Sequence, residues 1–250
     1  MFLKLRHVQH VLNRPRNTDD ALAKRQLAFD LMSVGLADHS HRSDLKRWVD
    51  GWYVHKSFAV FLSHFKFEAA AEARVLKLEL VKRLRCKEEQ VFLDADNLND
   101  LRKLLDHVVD SDCVALLWTQ GILSRPWCLL ELQAAVVSKV PIVLISVANA
   151  FEGDLEAIGA ILEDLPAHFA APNPKDSGNP YNPTAEATLR ELGCDPLRLG
   201  REIKAPLLRA PVVTFNPHQS IAMLRAQISQ MAAAFVEGAC PQNEALLAGE

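Results

Sequence analysis

The sequence predicts an α/β protein in which a parallel five-stranded sheet carries helices on both faces, with an N-terminal helical extension. From Ser57 onward, short apolar runs alternate with amphipathic stretches, which is typical of consecutive βα units. The apolar runs are rich in Val, Ile, Leu and Phe without alternation, as expected for strands buried on both faces. Hydrophobic residues make up 49% of the 250 residues, enough for a sizeable core.

Five apolar runs are predicted strands, and five stretches with apolar residues at helical spacing are predicted helices. The strands are residues 57–63, 90–93, 113–118, 141–147 and 212–215. The helices are residues 68–85, 101–109, 126–138, 154–165 and 220–236. The triplet 110–112 is predicted to form the turn before the third strand.

Three regions follow from changes in composition along the chain. Residues 1–55 hold five of the nine histidines and one predicted helix near residues 19–36, and they form an N-terminal helical appendage. Residues 56–236 form the main domain, with an irregular insertion at about 170–200 that includes a proline-rich stretch at 172–183. Residues 237–250 are a C-terminal tail. The histidine pairs lack a completing cysteine or carboxylate set, so they are interpreted as surface residues and no metal site is predicted.

Charge and cysteine usage narrow the classes of protein. A net charge of −3 and 24% charged residues provide no bulk attraction for nucleic acid or an anionic membrane. The five cysteines are scattered without CxxC spacing, which favours a reducing, cytoplasmic compartment. Charges interrupt the apolar positions of the first residues, and no run approaches the roughly 18 apolar residues of a membrane span.

The loops that follow the first three strands are predicted to share one rim, since ligands of open parallel sheets bind outside the carboxyl ends of the strands. These positions are Ser63, His64 and Phe65 after the first strand, Asp94 and Asp96 after the second, and Thr119 after the third.

The helix after the third strand carries the most informative residues. Ser124 can cap it, Pro126 suits its first turn, and Trp127 and Glu131 are four apart on one face. Glu131 lies in an otherwise apolar window, where burial tends to raise the pKa of a carboxyl group. The alternative is an ordinary exposed glutamate on a helix.

The motifs FLSHF (61–65), VFLDADNLNDL (91–101), SRPWCLLEL (124–132) and PIVLIS (141–146) occur in an order that resembles the TIR (Toll/interleukin-1 receptor/resistance) family. The resemblance is close over these segments and loose as far as Phe235. Within the family, FLDxDNLxDLRxLLDHV is most similar to TIR-like proteins of algae and other protists. The resemblance implies a flavodoxin-like sheet and a role in signalling or innate immune defence.

In enzymatic TIR domains the glutamate of the WCxxEL element cleaves the nicotinamide–ribose bond of NAD, and the matching residue here is Glu131. The resemblance therefore implies an NAD+ nucleosidase with NAD+ as substrate and no cofactor. One carboxylate suffices chemically: it stabilises an oxocarbenium-like state, and nicotinamide departs neutral without protonation.

The same resemblance implies substrate contacts from other positions. Ser63 matches the strand-end serine, and His64 replaces the usual aromatic residue, whose ring can stack on a base. Phe65 replaces an arginine of many relatives, which removes a cation. Trp127 either contacts substrate or only supports the helix. Asp94 and Asp96 belong to the pocket rim or cap the next helix.

Two alternatives to the enzyme stay open. Catalytic TIR domains self-associate, so the resemblance implies other TIR domains in a homo-oligomer as partners. The first alternative is a non-catalytic scaffold that acts by homotypic association, and it is favoured by Phe65 and by a glycine-free loop at 94–100. Retention of Glu131 with Trp127 favours the enzyme. A minor alternative reads Asp94 and Asp96 as the DxD motif of a metal-dependent nucleotide-sugar enzyme. Cys128 is predicted to be buried rather than a nucleophile.

Overall fold

The structure is a computed structural model that describes residues 54–93, 101–147, 155–170 and 182–239. Its centre is one five-stranded sheet in the order β2-β1-β3-β4-β5, in which every pair of neighbours is parallel. The strands are β1 (Phe58–Ser63), β2 (Val91–Leu93), β3 (Ser111–Trp118), β4 (Ile142–Val147) and β5 (Val212–Phe215). All eight residues of the central strand β3 are buried, as expected for a parallel strand covered on both faces.

Eight helices occur in the described segments and cover both faces of the sheet. They are α1 (Lys66–Leu84), α2 (Leu101–Val109), α3 (Pro126–Val137), α4 (Leu155–Glu163), α5 (Leu165–Ala170), α6 (Asn182–Glu191), α7 (Pro196–Arg209) and α8 (Ile221–Ala239). Helices α1 and α8 pack on one face around a core that includes Leu76 and Phe235. The other six contribute to the core on the opposite face. The predicted α/β class with a flavodoxin-like parallel sheet is confirmed.

Helices α6 and α7 were not predicted from the sequence, although they lie in or next to the segment assigned as an irregular insertion. Helix α7 begins with Pro196 in its first turn, and the side chain of Asp195 accepts a hydrogen bond from the backbone N–H of Arg198 at 3.3 Å. Its buried residues Leu199, Ile203 and Leu207 recur every four positions, which is a helical signal. The nearby prolines obscured it, because Pro is normally a helix breaker.

Several predictions lie outside the described residues: the helix near 19–36, most of the proline-rich stretch and the loop at 94–100. Helix α8 continues to Ala239, three residues past the predicted end, and the rest of the tail is likewise not described. Within the described segments, no helix combines the length and apolar character needed to cross a bilayer.

The chain segment before β1 is held by a buried carboxylate. Asp112 is 5% exposed and accepts backbone N–H groups of His55 at 3.0 Å and of Lys56 at 3.1 Å. It lies inside β3, which starts at Ser111, so the predicted turn is shorter than residues 110–112. The hydrogen bonds connect the start of the domain to its central strand.

Replacing Asp112 by alanine is expected to lower the free energy of unfolding by about 2 kcal/mol, since hydrogen bonds to charged groups contribute roughly 1.5–3 kcal/mol. Urea unfolding followed by circular dichroism measures the change. Asp110→Ala is the matched control, because that carboxylate is exposed and accepts a hydrogen bond from Ser57 Oγ. Equal stability of the two variants would contradict the anchoring role.

Candidate functional site

The site lies at the topological switch point of the sheet. Strand β1 has β2 on one side and β3 on the other, so the loops that leave β1 and β3 diverge, and a crevice opens at their carboxyl ends. Only two residues separate β1 from α1. This tight connection places His64, Phe65 and Lys66 at the crevice, opposite the start of α3.

The crevice is a cleft of about 390 Å³, within the size range of small-molecule sites. Its charged and ionisable lining residues are His64, Lys66, Arg125, Cys128 and Glu131, and its aromatic lining residues are Phe65, Phe67 and Trp127. Phe67 is 77% exposed and lies on the solvent side.

Glu131 is a buried carboxylate in the wall of this cleft. Its side chain is 5% exposed, and it accepts a hydrogen bond from Ser63 Oγ at 2.5 Å. Ser63 is the last residue of β1 and is 1% exposed. The alternative of an ordinary exposed helix glutamate is therefore wrong. A buried carboxylate must be compensated by hydrogen bonds or charge, and the strand-end serine supplies one such bond.

Trp127 lies one turn before Glu131 on α3 and is half-buried. Its ring packs against the apolar core on that face of the sheet and also lines the cleft. The packing supports the predicted structural role of Trp127, and contact of its ring with substrate stays a prediction. An indole beside a carboxylate provides an apolar wall for a flat ring.

Phe65 is buried and forms the N-terminal cap position of α1. The guanidinium carbon of Arg125 lies over the Phe65 ring, 4.8 Å from its centroid, which is a cation–π contact. The cleft therefore has a cationic side chain, that of Arg125, beside Phe65. Sequence analysis missed Arg125 and Lys66; the signal available for Arg125 was a basic residue directly before the Pro-Trp pair at the helix start.

Ser124 does not cap α3, contrary to the prediction. The cap position belongs to Arg125, which makes no side-chain cap hydrogen bond. Ser124 Oγ instead lies 3.0 Å from Nε2 of His168 on α5. Burial lowers the pKa of His168, and the tautomer of the ring decides which of the two groups donates the hydrogen bond. This contact connects the segment before α3 to α5.

Cys128 lines the cleft but lacks the properties of a nucleophile. Its thiol is 5% exposed and donates to the backbone carbonyl of His64 at 3.6 Å. Burial and the nearby charge of Glu131 raise the pKa of Cys128 well above the usual value. A helix N-terminus usually lowers a thiol pKa, but here burial outweighs it.

We expect Cys128 to resist iodoacetamide at pH 8 in the native protein and to react once the protein is unfolded in urea, as measured by peptide mass spectrometry. The pKa of the Cys128 thiol is higher in the folded protein than in the unfolded chain. Its effect on stability is therefore absent below the ordinary thiol pKa of about 8.5. Above that pH the thiol of the unfolded chain loses its proton first, which lowers the free energy of unfolding. Cys86 is a partly buried thiol whose pKa burial raises to about 12. Its alkylation in the same sample is the internal reference for that of Cys128. Rapid native alkylation of Cys128 would contradict this assignment.

Three predicted positions remain. Asp94 and Asp96 lie outside the described residues. Thr119 is buried at the end of β3 but is not among the lining residues. In the described part of the chain, no three His, Cys, Asp or Glu residues are grouped so as to hold a metal ion.

The chain is an α/β protein of the flavodoxin-like type with a candidate ligand cleft at its switch point. No protein family model matches it, and no curated protein is significantly similar to it. Seventeen chains of solved structures match. One of them is a TIR domain in a structure of the activated Roq1 resistosome, a complex described as directly recognizing the pathogen effector XopQ. The two chains are 14% identical with a TM-score of 0.44, and the match covers 71% of this chain and 98% of that chain.

Proposed function

We propose that this protein is a TIR-type NAD+ nucleosidase, which hydrolyses the bond between nicotinamide and ribose in cytoplasmic signalling or defence. The observation that supports this most directly is the hydrogen bond from Ser63 to the buried carboxylate of Glu131 in the cleft at the switch point. The narrower likeness to algal and protist TIR-like proteins stays a prediction from the sequence.

The chemistry requires a negative charge beside the ribose carbon. When the nicotinamide–ribose bond breaks, its electron pair leaves with the ring nitrogen, so nicotinamide becomes neutral and positive charge develops on the ribose. The Glu131 carboxylate stabilises that charge most strongly in a site with little water. Water then adds to the ribose carbon and loses a proton, which yields ADP-ribose.

Ser63 is a positioning residue in this mechanism. Its hydroxyl donates to Glu131 Oε2, which holds the carboxylate in one orientation. A group held in place before reaction costs no reorganisation when the charge develops. The bond joins the end of β1 to α3, so the orientation of the carboxylate depends on the packing of both elements.

The substrate's charged ring suits the rest of the cleft. Nicotinamide carries a positive charge while it is attached to ribose, and it would lie between the carboxylate and the indole of Trp127. Flat cationic rings are favoured next to aromatic faces. His64, half-buried at the same cleft, provides a further ring at this edge.

The test is to incubate the purified 250-residue chain with NAD+ and to measure free nicotinamide by liquid chromatography. Release that depends on protein concentration supports the proposal. A rate of nicotinamide release that rises faster than linearly with protein concentration would further indicate that self-association completes the site. No release above the level of buffer at any protein concentration would contradict an NAD+ nucleosidase.

A non-catalytic association module is the second candidate, and a groove between α1 and α8 favours it. This groove has a volume of about 540 Å³ and is lined by Ile221, Leu224 and Ile228 together with basic side chains. Ile221 is 70% exposed at this groove. An exposed apolar side chain beside a groove is a feature of interaction surfaces. Oligomers in sedimentation velocity without nicotinamide release would favour this candidate over the enzyme.

A further inference from the structure

We propose that Glu68 is a positioning residue that sets the spacing of the two walls of the Glu131 cleft. Its carboxylate fixes the loop after β3 to the first turn of α1, and this loop leads to α3. The catalytic consequence rests on the proposed function, whereas the effect on the spacing of the walls does not. Glu68 is not among the lining residues of the cleft, so it acts through the residues that are.

The contact joins two segments that are distant in the sequence. Glu68 lies in the first turn of α1, and its Oε2 accepts the backbone N–H of Gly121 at 2.9 Å. A carboxylate that accepts an N–H forms a charge-assisted hydrogen bond, which is stronger than a neutral one. Gly121 lies between β3 and α3. The bond therefore connects the wall formed by β1 and the start of α1 to the wall formed by the start of α3.

The loop approaches α1 so closely that position 121 has little room for a side chain. A β-carbon on Gly121 would lie 2.9 Å from Glu68 Oε1 and 3.2 Å from Cε1 of the Phe65 ring. The guanidinium carbon of Arg125 lies 4.8 Å from the centroid of the same ring. Gly121 and Arg125 are thus both next to Phe65, and the packing around this ring depends on where Glu68 holds the loop.

Two further hydrogen bonds join the same pair of walls. Ser63 Oγ donates to Glu131, and the Cys128 thiol donates to the backbone carbonyl of His64. Ser63 and Cys128 are buried, whereas Glu68 is exposed and forms its bond on the solvent side. Loss of the Glu68 bond would let the walls separate and would displace the Glu131 carboxylate. A displacement of about 1 Å at a reacting centre can slow a reaction about 100-fold.

The first experiment measures NAD+ kinetics of two variants. Glu68→Ala removes the acceptor, whereas the amide oxygen of Glu68→Gln can still accept the N–H of Gly121. We expect Glu68→Ala to lower kcat about tenfold or more, with a smaller change in KM because the Glu131 charge is needed most in the transition state. Glu68→Gln should keep most of the wild-type kcat. An unchanged kcat in Glu68→Ala, or an equal loss in Glu68→Gln, would overturn the positioning role.

Glu72→Ala is the matched control. It removes another carboxylate of α1, one turn further along the helix and outside the lining of the cleft. Its kinetic constants should equal those of wild type. A loss as large as that of Glu68→Ala would show that any carboxylate on this helix has the same effect, which would also overturn the role of Glu68.

The second experiment measures the spacing of the walls without catalysis. Cys128 is a buried thiol that lines the cleft, and separation of the walls exposes it. We expect iodoacetamide to alkylate Cys128 about tenfold faster in native Glu68→Ala than in wild type, as for loss of a charge-assisted hydrogen bond from the closed form. Glu68→Gln should react almost as slowly as wild type. Cys86, just after the other end of α1, should react at the same rate in all three proteins.

The two experiments distinguish failure of the enzyme from failure of the positioning role. If wild type releases no nicotinamide, the nucleosidase proposal fails, yet faster alkylation confined to Cys128 in Glu68→Ala would still support positioning by Glu68. Equal acceleration at Cys128 and Cys86 would mean a general loss of stability and would refute the role. Unchanged alkylation of Cys128 in Glu68→Ala would refute it too, even if NAD+ is cleaved.

Discussion

Glu131→Gln is expected to lower kcat for nicotinamide release from NAD+ by about 100- to 1000-fold, the loss typical of removing one preorganised electrostatic group. Glutamine has nearly the same size and shape as glutamate, and its amide oxygen can still accept the hydrogen bond from Ser63. In the proposed mechanism, the substitution removes the negative charge that stabilises the ribose cation, while the similar shape of glutamine keeps the packing of α3. The effect should fall on kcat rather than on KM, because the charge is needed most in the transition state.

Steady-state kinetics on the two proteins at matched concentration measure this change. Glu191→Gln is the control, since it removes an exposed carboxylate at the end of α6, away from the cleft. The thermal midpoint of Glu131→Gln should be at or near that of wild type. A Glu131→Gln protein that releases nicotinamide at the wild-type rate would exclude this carboxylate from catalysis.

The second large effect concerns stability: Gly200→Ala is expected to lower the free energy of unfolding by roughly 3 kcal/mol, at the upper end of overpacking effects. A β-carbon at position 200 would lie 2.2 Å from the carbonyl oxygen of Leu162. That oxygen belongs to the backbone of α4, so no side-chain rotation can relieve the clash. Helices α7 and α4 would have to separate, and their buried side chains would lose contacts.

The matched control is Gly159→Ala, on the other helix of the same contact. A β-carbon there would meet the end of the Lys204 side chain at 3.3 Å, and a flexible lysine can move. Alanine also has a better helix propensity than glycine by roughly 0.5–1 kcal/mol. We therefore expect Gly159→Ala to leave stability unchanged or to raise it. Thermal unfolding separates the two variants, and similar midpoints would show that α7 does not approach α4 this closely.

The strands were predictable because a buried parallel strand leaves a simple signature. Residues 212–215 form β5 with the predicted bounds, and β4 differs from its prediction by one residue at its start. Strand β4 is buried at all six residues and is almost continuously apolar, whereas the edge strand β5 alternates between exposed and buried residues. The prediction for β3 began two residues late, since a buried aspartate at position 112 is atypical of a strand.

Contacts between distant segments were not predictable from local patterns. Helix α7 has a usable capping and spacing signal, but its close approach to α4 at Gly200 is a property of two packed helices. Serine is a preferred residue at helix N-termini. The hydroxyl of Ser124 nevertheless contacts the ring of His168 on α5 instead of capping α3. Local preference yields to tertiary packing in both cases.

By itself, the sequence determined the α/β class, the order of the main elements and the rim at which Ser63, His64, Phe65, Trp127 and Glu131 lie, because these depend on hydrophobic period and on the rule for parallel sheets. Only the tertiary structure decided that Glu131 is buried against Ser63, 68 residues earlier in the chain, and that Arg125 lies over Phe65. Burial, pairing and the sign of the charge at each point of the cleft depend on which elements meet in space, and one segment read alone does not contain that information.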